Sequence, residues 1–409
     1  MRLKKTFLLF FFLLSYSVSS YTQSNEPLFK DAGLKYKAGK YDEAILIYDK
    51  IIKKSPYDYE SYYWKGKCYY AKGQIDEAIK QYNLCISKNS KYYLAYQDRG
   101  LAYMDKNMFK EALADFDFIT GAYPDAAESY SGRSKIYSKA GKTDAALKDI
   151  NKAIELRNDM WKYYYERALI YEKTEKTDLA IKDLQKVTNV NPAHGESWYR
   201  LAENYLKKNN PAGAIEGYSK AIEYKFQAGE SLRKRASAYF NNKEYDKAVA
   251  DYNSIITDLK TKAGEDVFLK RATCLYMAGK FDLAIKDYGK VIMLNRNSFD
   301  AYIGRANAYS RIKKYQMGIN DYTKAIVIDE SRADGWLKRG ILYIDMKKFI
   351  QALTDLDKAV KISPSGEAYY YRGAVKDLMK NNKGACEDLK KAALLGYKEA
   401  VNKASIYCP

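Results

Sequence analysis

The stretch GKYDEAILIYDKII, residues 39–52, returns in recognisably the same form as GQIDEAIKQYNLCI at 73–86 and as GKFDLAIKDYGKVI at 279–292. Each copy opens on a glycine and carries an alanine five residues later. Working outward, a second small residue precedes that alanine by twelve positions. The resulting pairs are Ala32/Ala44, Gly66/Ala78, Gly100/Ala112 and onward to Gly340/Ala352 and Gly373/Ala385. Successive units are 34 residues apart except for one step of 36 and one of 33, and eleven units fill residues 23–396. Small residues on two successive helices let their backbones approach closely, while large ones such as Tyr62, Tyr96 and Trp198, with Tyr48, Tyr82 and Phe116, fill the space between. The prolines keep the same register. Pro56, Pro124, Pro192 and Pro364 stand where second helices end, and Pro211 occupies a first turn, where its missing N–H costs nothing.

A 34-residue period of helix–turn–helix units resembles the tetratricopeptide repeat family over nearly the whole chain. The resemblance implies an all-α fold, a right-handed superhelical solenoid of helix–turn–helix repeats. It also implies that first helices line a concave face and offer outward residues to a partner. Those positions hold Tyr63, Tyr70, Tyr165, Tyr199, Phe240, Tyr276, Leu337 and Tyr370, so the expected groove is aromatic and apolar. The lysine and asparagine clamp with which some relatives hold carboxylates is not repeated here. Only Arg233 is basic at the first clamp position, and only Asn307 is Asn at the second.

A second regularity runs through eight units. Arg99, Arg133, Arg167, Arg235, Arg271, Arg305, Arg339 and Arg372 each have an aspartate sixteen residues on: Asp115, Asp149, Asp183, Asp251, Asp287, Asp321, Asp355 and Asp388. The three units without the arginine also lack the aspartate. A partly buried guanidinium without its carboxylate is costly, so joint presence and absence predicts a ladder of structural ion pairs.

At the N-terminus, Arg2, Lys4 and Lys5 precede the apolar run from Phe7 to Leu14 and a serine-rich stretch, the pattern of a secretory signal peptide over residues 1–22. Those three are the only charges in that segment, so its removal lowers the net charge from +19 to +16. No later stretch has the ~20 apolar residues of a membrane span. The expectation is an exported bacterial protein, periplasmic or secreted. After Gly396, residues 397–409 are expected to form a capping helix, with Val401, Ala404 and Ile406 available for packing. Cys386 and Cys408 lie at one level of the resulting helix pair and suit a disulfide in an oxidising compartment. Cys68, Cys85 and Cys274 read as small buried residues.

The sequence gives no catalytic constellation, cofactor fingerprint or metal-ligand set. Its single histidine, His194, lies in an inter-repeat turn, and its glycines fall at repeat positions, not in phosphate loops. The reading is a non-enzymatic scaffold for protein or peptide partners in the bacterial envelope. The alternative is binding of an acidic envelope glycan through the basic, tyrosine-rich surface. Export excludes nucleic acid as the expected ligand.

Overall fold

The computed structural model describes residues 25–258 and 264–408, so the signal peptide expected at 1–22 and most of the two-residue insertion near Thr261 lie outside the described residues. The chain divides into two compact units, Met1–Pro192 and Ala193–Pro409. Helices are its only regular secondary structure among the described residues. The first unit holds α1 (Glu26–Lys37), α2 (Tyr41–Lys54), α3 (Tyr59–Ala71), α4 (Ile75–Lys88), α5 (Tyr93–Asp105), α6 (Phe109–Ala122), α7 (Ala127–Lys139), α8 (Thr143–Leu156), α9 (Trp161–Lys173) and α10 (Thr177–Val190). The second begins with α11 (Gly195–Lys207), α12 (Pro211–Glu223), α13 (Ala228–Asn241), α14 (Tyr245–Asp258), α15 (Glu265–Met277), α16 (Phe281–Leu294) and α17 (Phe299–Arg311). It continues with α18 (Tyr315–Ile328), α19 (Ala333–Asp345), α20 (Phe349–Ile362), α21 (Gly366–Leu378), α22 (Asn382–Leu394) and α23 (Lys398–Tyr407).

Each odd helix and the next even one form a hairpin, and a left-handed residue closes the turn between them. Gly39, Gly73, Gly141 and Gly279 take this conformation at φ 73–76°, and Lys313 and Lys347 take it at φ 60° and 57°. Within each hairpin the paired small residues are buried, and Ala32, Ala44, Ala168 and Ala180 among them completely. Gly66 shows why size matters. A Cβ there would stand 2.6 Å from the Tyr82 ring, closer than carbon atoms approach.

Because each helix pair covers only its neighbours, the core is a series of small clusters, one after another along each unit. Their centres are side chains with almost no exposure, such as Tyr48, Tyr82, Phe116, Ile150, Leu184, Tyr218 and Leu356. Within each unit the odd helices also touch the next odd helix, as α3 touches α5 and α15 touches α17. The odd helices therefore line the inner side of each unit, and the even helices its outer side.

At the C-terminus α23 packs on α22 and α21. Ala400 is fully buried there and Tyr397 lies 4.9 Å from the Tyr370 ring. Val401, expected to pack, is exposed, because the helix turns its Ala400 side toward the preceding pair. A disulfide joins Cys386 of α22 to Cys408 just past α23, with Cα atoms 5.4 Å apart.

Candidate functional site

The eight arginines and their aspartates sit at the junction of three helices. In every pair Nε and Nη2 donate to the two carboxylate oxygens of the aspartate sixteen residues on, at 2.5–2.9 Å. The aspartates are buried, and most of the guanidinium planes lie over an aromatic ring one turn earlier, such as Tyr96, Tyr164 or Trp336. The hydrogen bonds they donate to Asp149 and Asp183 outweigh burial and hold Arg133 and Arg167 above the usual guanidinium range.

The third donor, Nη1, reaches the second helix of the preceding hairpin. Arg99 finds Asn83 there at 2.5 Å, Arg133 finds Asp117 at 2.8 Å, and Arg167 finds Asn151 at 2.7 Å. Farther on, Arg235 meets Ser219, Arg271 meets Asn253, Arg339 meets Thr323 and Arg372 meets Asp357. Seven of the eight arginines thus rivet their own hairpin to the one before it. The signal for this third contact was a polar residue about sixteen positions upstream, and it was missed because its identity varies. Where Lys65 replaces the arginine, only the upstream contact remains, to Asp49 at 2.5 Å.

The inner face differs from the expected apolar groove. Tyr63 is only 4% exposed: its hydroxyl donates to Asp98 at 2.8 Å and Tyr92 packs on its ring at 5.2 Å, so it is a structural residue and not a groove contact. Leu337 is buried in the core of its own hairpin as well. Tyr70 is half-buried and donates to Asp105 at 2.6 Å, while Lys135 pairs with Glu166 at 2.7 Å. Contacts of this kind, from one odd helix to the next, make the inner face of the first unit polar and cross-braced. Tyr165 is half-buried on α9.

In the second unit Tyr199, Phe240, Tyr276 and Tyr370 are half-buried too, each edge-on or tilted against a neighbouring ring: Tyr218, Tyr245, Phe281 and Tyr397 respectively. Phe240 and Tyr276 each border a hollow. One, of about 280 Å³, lies under Phe240 and is lined by Tyr252, Leu269 and Cys274. The other, of about 440 Å³, lies among α15, α17, α19 and α21 and is more polar, with Tyr276, Asn307, Arg311, Lys338 and Tyr371 around it. Beneath it the buried Tyr322 hydroxyl, which burial keeps protonated, donates to Asn307 Oδ1 at 2.5 Å. That bond occupies the amide oxygen of Asn307, whose side chain lines the cleft. Arg311 has no carboxylate partner among the described residues and lies over the Phe281 ring, 5.1 Å away, while Lys338 donates to Glu367 at 2.9 Å. The cleft thus combines the Arg311 guanidinium and the Asn307 amide with the Lys338–Glu367 pair, a polar setting that suits a segment bearing hydrogen-bonding groups.

Cys68, Cys85 and Cys274 are buried, and burial pushes their thiols up to about 12, about 12 and about 11, so they are poor nucleophiles at neutral pH. Among the described residues no three His, Cys, Asp or Glu side chains are placed to hold a metal ion, and no helix is long and apolar enough to cross a membrane.

Stacked helix hairpins with an inner face of first helices define a repeat protein of the solenoid class. Tetratricopeptide repeat models match residues 98–160, 162–194, 199–263, 266–296, 299–332 and 333–365, and the chain belongs to the tetratricopeptide repeat family. A model described as anaphase-promoting complex, cyclosome, subunit 3 matches residues 37–119. Among solved structures, a tetratricopeptide repeat protein from Parabacteroides merdae is similar at 20% identity over 61% of this chain and 99% of its own, with a TM-score of 0.48. Yeast Tom70 is similar at 16% identity over 94% of this chain and 96% of its own, with a TM-score of 0.42. Comparison with curated protein sequences finds no match. The fold is that of protein–protein interaction scaffolds, and protein partners are what such a fold implies in general.

Proposed function

We propose that the protein is a non-enzymatic scaffold, exported to the periplasm or beyond by a bacterium, that holds an extended segment of a protein partner on the inner face of its second unit. The observation that carries this reading is the 440 Å³ cleft, where Asn307, Arg311 and the Lys338–Glu367 pair line a space bordered by Tyr276 and Tyr371. Rigid aromatic edges with a few fixed polar groups are the ordinary composition of a recognition site. Export draws support from residues 1–22 and from the Cys386–Cys408 disulfide, a bond that persists in oxidising compartments.

The test is a crosslinking pull-down from envelope extract, comparing wild type with a Tyr276→Ala, Arg311→Gln double variant. Defined proteins recovered by the wild type and lost from a folded variant uphold the reading. Equal recovery by both forms, or recovery of polysaccharide that moderate salt removes, overturns it and favours the basic surface as a glycan site. Sequencing the N-terminus of the cellular protein checks export separately, since an intact Met1 would contradict it.

A further inference from the structure

A different edge of the second unit carries a pattern that the inner-face reading does not use. Among the most exposed large apolar side chains of the chain are Met293 at 82%, Val327 at 77% and Leu394 at 87%. They occupy the same place, the last turn of α16, α18 and α22, and Lys361 holds that place in α20. Three residues earlier, on the same side of each helix, stand Lys290, Lys324, Lys358 and Lys391, all exposed.

Earlier hairpins show what this register looks like when it is only a solvated surface. There Lys152 pairs with Glu155 at 3.0 Å and Lys220 with Glu223 at 2.9 Å, the acid standing where the apolar tip stands later. In α16, α18 and α22 the acid is replaced by Met, Val and Leu. Lys324, Lys358 and Lys391 then have no carboxylate partner among the described residues, and Lys290 keeps only a 3.8 Å contact with Asp287. Lysines near helix C-termini have an ordinary explanation in the helix dipole, but exposed apolar side chains beside them do not.

We infer that this edge docks on an anionic phospholipid surface, with Met293, Val327 and Leu394 entering the headgroup layer and the lysine row meeting lipid phosphates. Four consecutive hairpins at roughly 10 Å each give a strip about 30 Å long. Lys290 and Lys391 also lie beside the Phe268 and Tyr369 rings, at 4.9 and 5.5 Å, contacts that add no compensating acid. The combination of apolar tips with a basic row almost free of carboxylate partners is that of peripheral membrane binders. An acidic glycan would use the lysines but would gain nothing from the tips.

The experiment is co-sedimentation of the purified full chain, in 0.15 M salt, with vesicles of phosphatidylcholine containing three parts in ten phosphatidylglycerol, and with pure phosphatidylcholine vesicles. Two edge variants are compared: Met293→Ser, Val327→Ser, Leu394→Ser, and Lys324→Gln, Lys358→Gln, Lys391→Gln. A charge-matched control carries Lys152→Gln, Lys186→Gln, Lys220→Gln. The expected result is binding to the anionic vesicles only, weakened at least tenfold by each edge variant and less than twofold by the control. Failure of the wild type to bind, edge variants that bind like the wild type, or a control that loses as much as the lysine-edge variant would each overturn the inference. So would an unaffected serine variant, which leaves charge alone and points to a glycan. The inner-face reading stands or falls by its own pull-down, since none of these residues lines the cleft.

Discussion

Gly289 leaves Arg305 without the acceptor that the other seven ladder arginines find on the preceding hairpin. A Cβ at Gly289 would lie 3.7 Å from Arg305 Nη1, in space that is otherwise open, and no acceptor among the described residues takes that donor. Gly289→Asn places a carbonyl oxygen where Asn83 and Asn151 stand for Arg99 and Arg167. Leaving glycine inside α16 gives a few tenths of a kcal/mol for Asn and about 1 kcal/mol for Ala. The added charge-assisted hydrogen bond contributes about 1.5 kcal/mol. In urea unfolding Gly289→Asn is therefore expected to be more stable than Gly289→Ala, against their helix propensities. The reverse order would show that the third contact stabilises nothing.

The Arg167–Asp183 pair tests the ladder itself. Asp183 is buried and accepts from two guanidinium nitrogens at 2.7 Å, so Arg167→Met strands a carboxylate and Asp183→Leu strands most of a guanidinium. Each single change is expected to cost about 3–5 kcal/mol, and the double change less than the sum, because no unpaired charge then remains. Additive losses in thermal or urea unfolding would mean that the two groups do not depend on each other.

How far the sequence could be read follows from where the partners of each residue come from. Ala32 with Ala44, and Arg99 with Asp115, belong to one hairpin, so their spacing recurs unit by unit and is visible as a period. The upstream acceptor of Arg99 comes from the hairpin before, and any oxygen serves, so Asn, Ser, Thr and Asp alternate there and no motif forms. Tyr63 was read as a groove residue because its position faces inward in the repeat. Its burial is decided by Tyr92 and Asp98 of the following hairpin, and at the equivalent places of later hairpins other residue types stand. Asn307 stands in the sequence as the only Asn at the second clamp position, with no repeat of the clamp around it. Its setting beside Arg311 and Lys338 joins two different hairpins, which no single-unit pattern displays.

Tyr48 is fully buried, and its hydroxyl has no hydrogen-bond partner among the described residues. At the corresponding place in α6 the chain uses Phe116, equally buried. A buried hydroxyl without a partner bears its whole desolvation cost, so Tyr48→Phe is expected to stabilise the N-terminal hairpins by about 1 kcal/mol. Loss of stability in thermal unfolding would reveal a hydrogen bond to the Tyr48 hydroxyl in solution.

Asp388 makes the last rung of the ladder sensitive to acid. Burial disfavours its charge, but hydrogen bonds from Arg372 and from Lys376, the latter at 2.7 Å, outweigh burial and hold the carboxyl below its ordinary value. A carboxyl depressed in the folded state adds stability above its unfolded value near ~3.9, and that contribution disappears as pH falls through the lower folded value. The pair α21–α22, with α23 resting on it, should therefore loosen below about pH 4, whereas its stability should be flat near neutrality. Amide hydrogen exchange at stepped pH, resolved by segment, reads this directly. Asp388→Asn should raise exchange in α21 and α22 at pH 7 and make it less steep between about pH 5 and pH 2 than in the wild type. Equal steepness in both forms would show that the acid response does not come from Asp388.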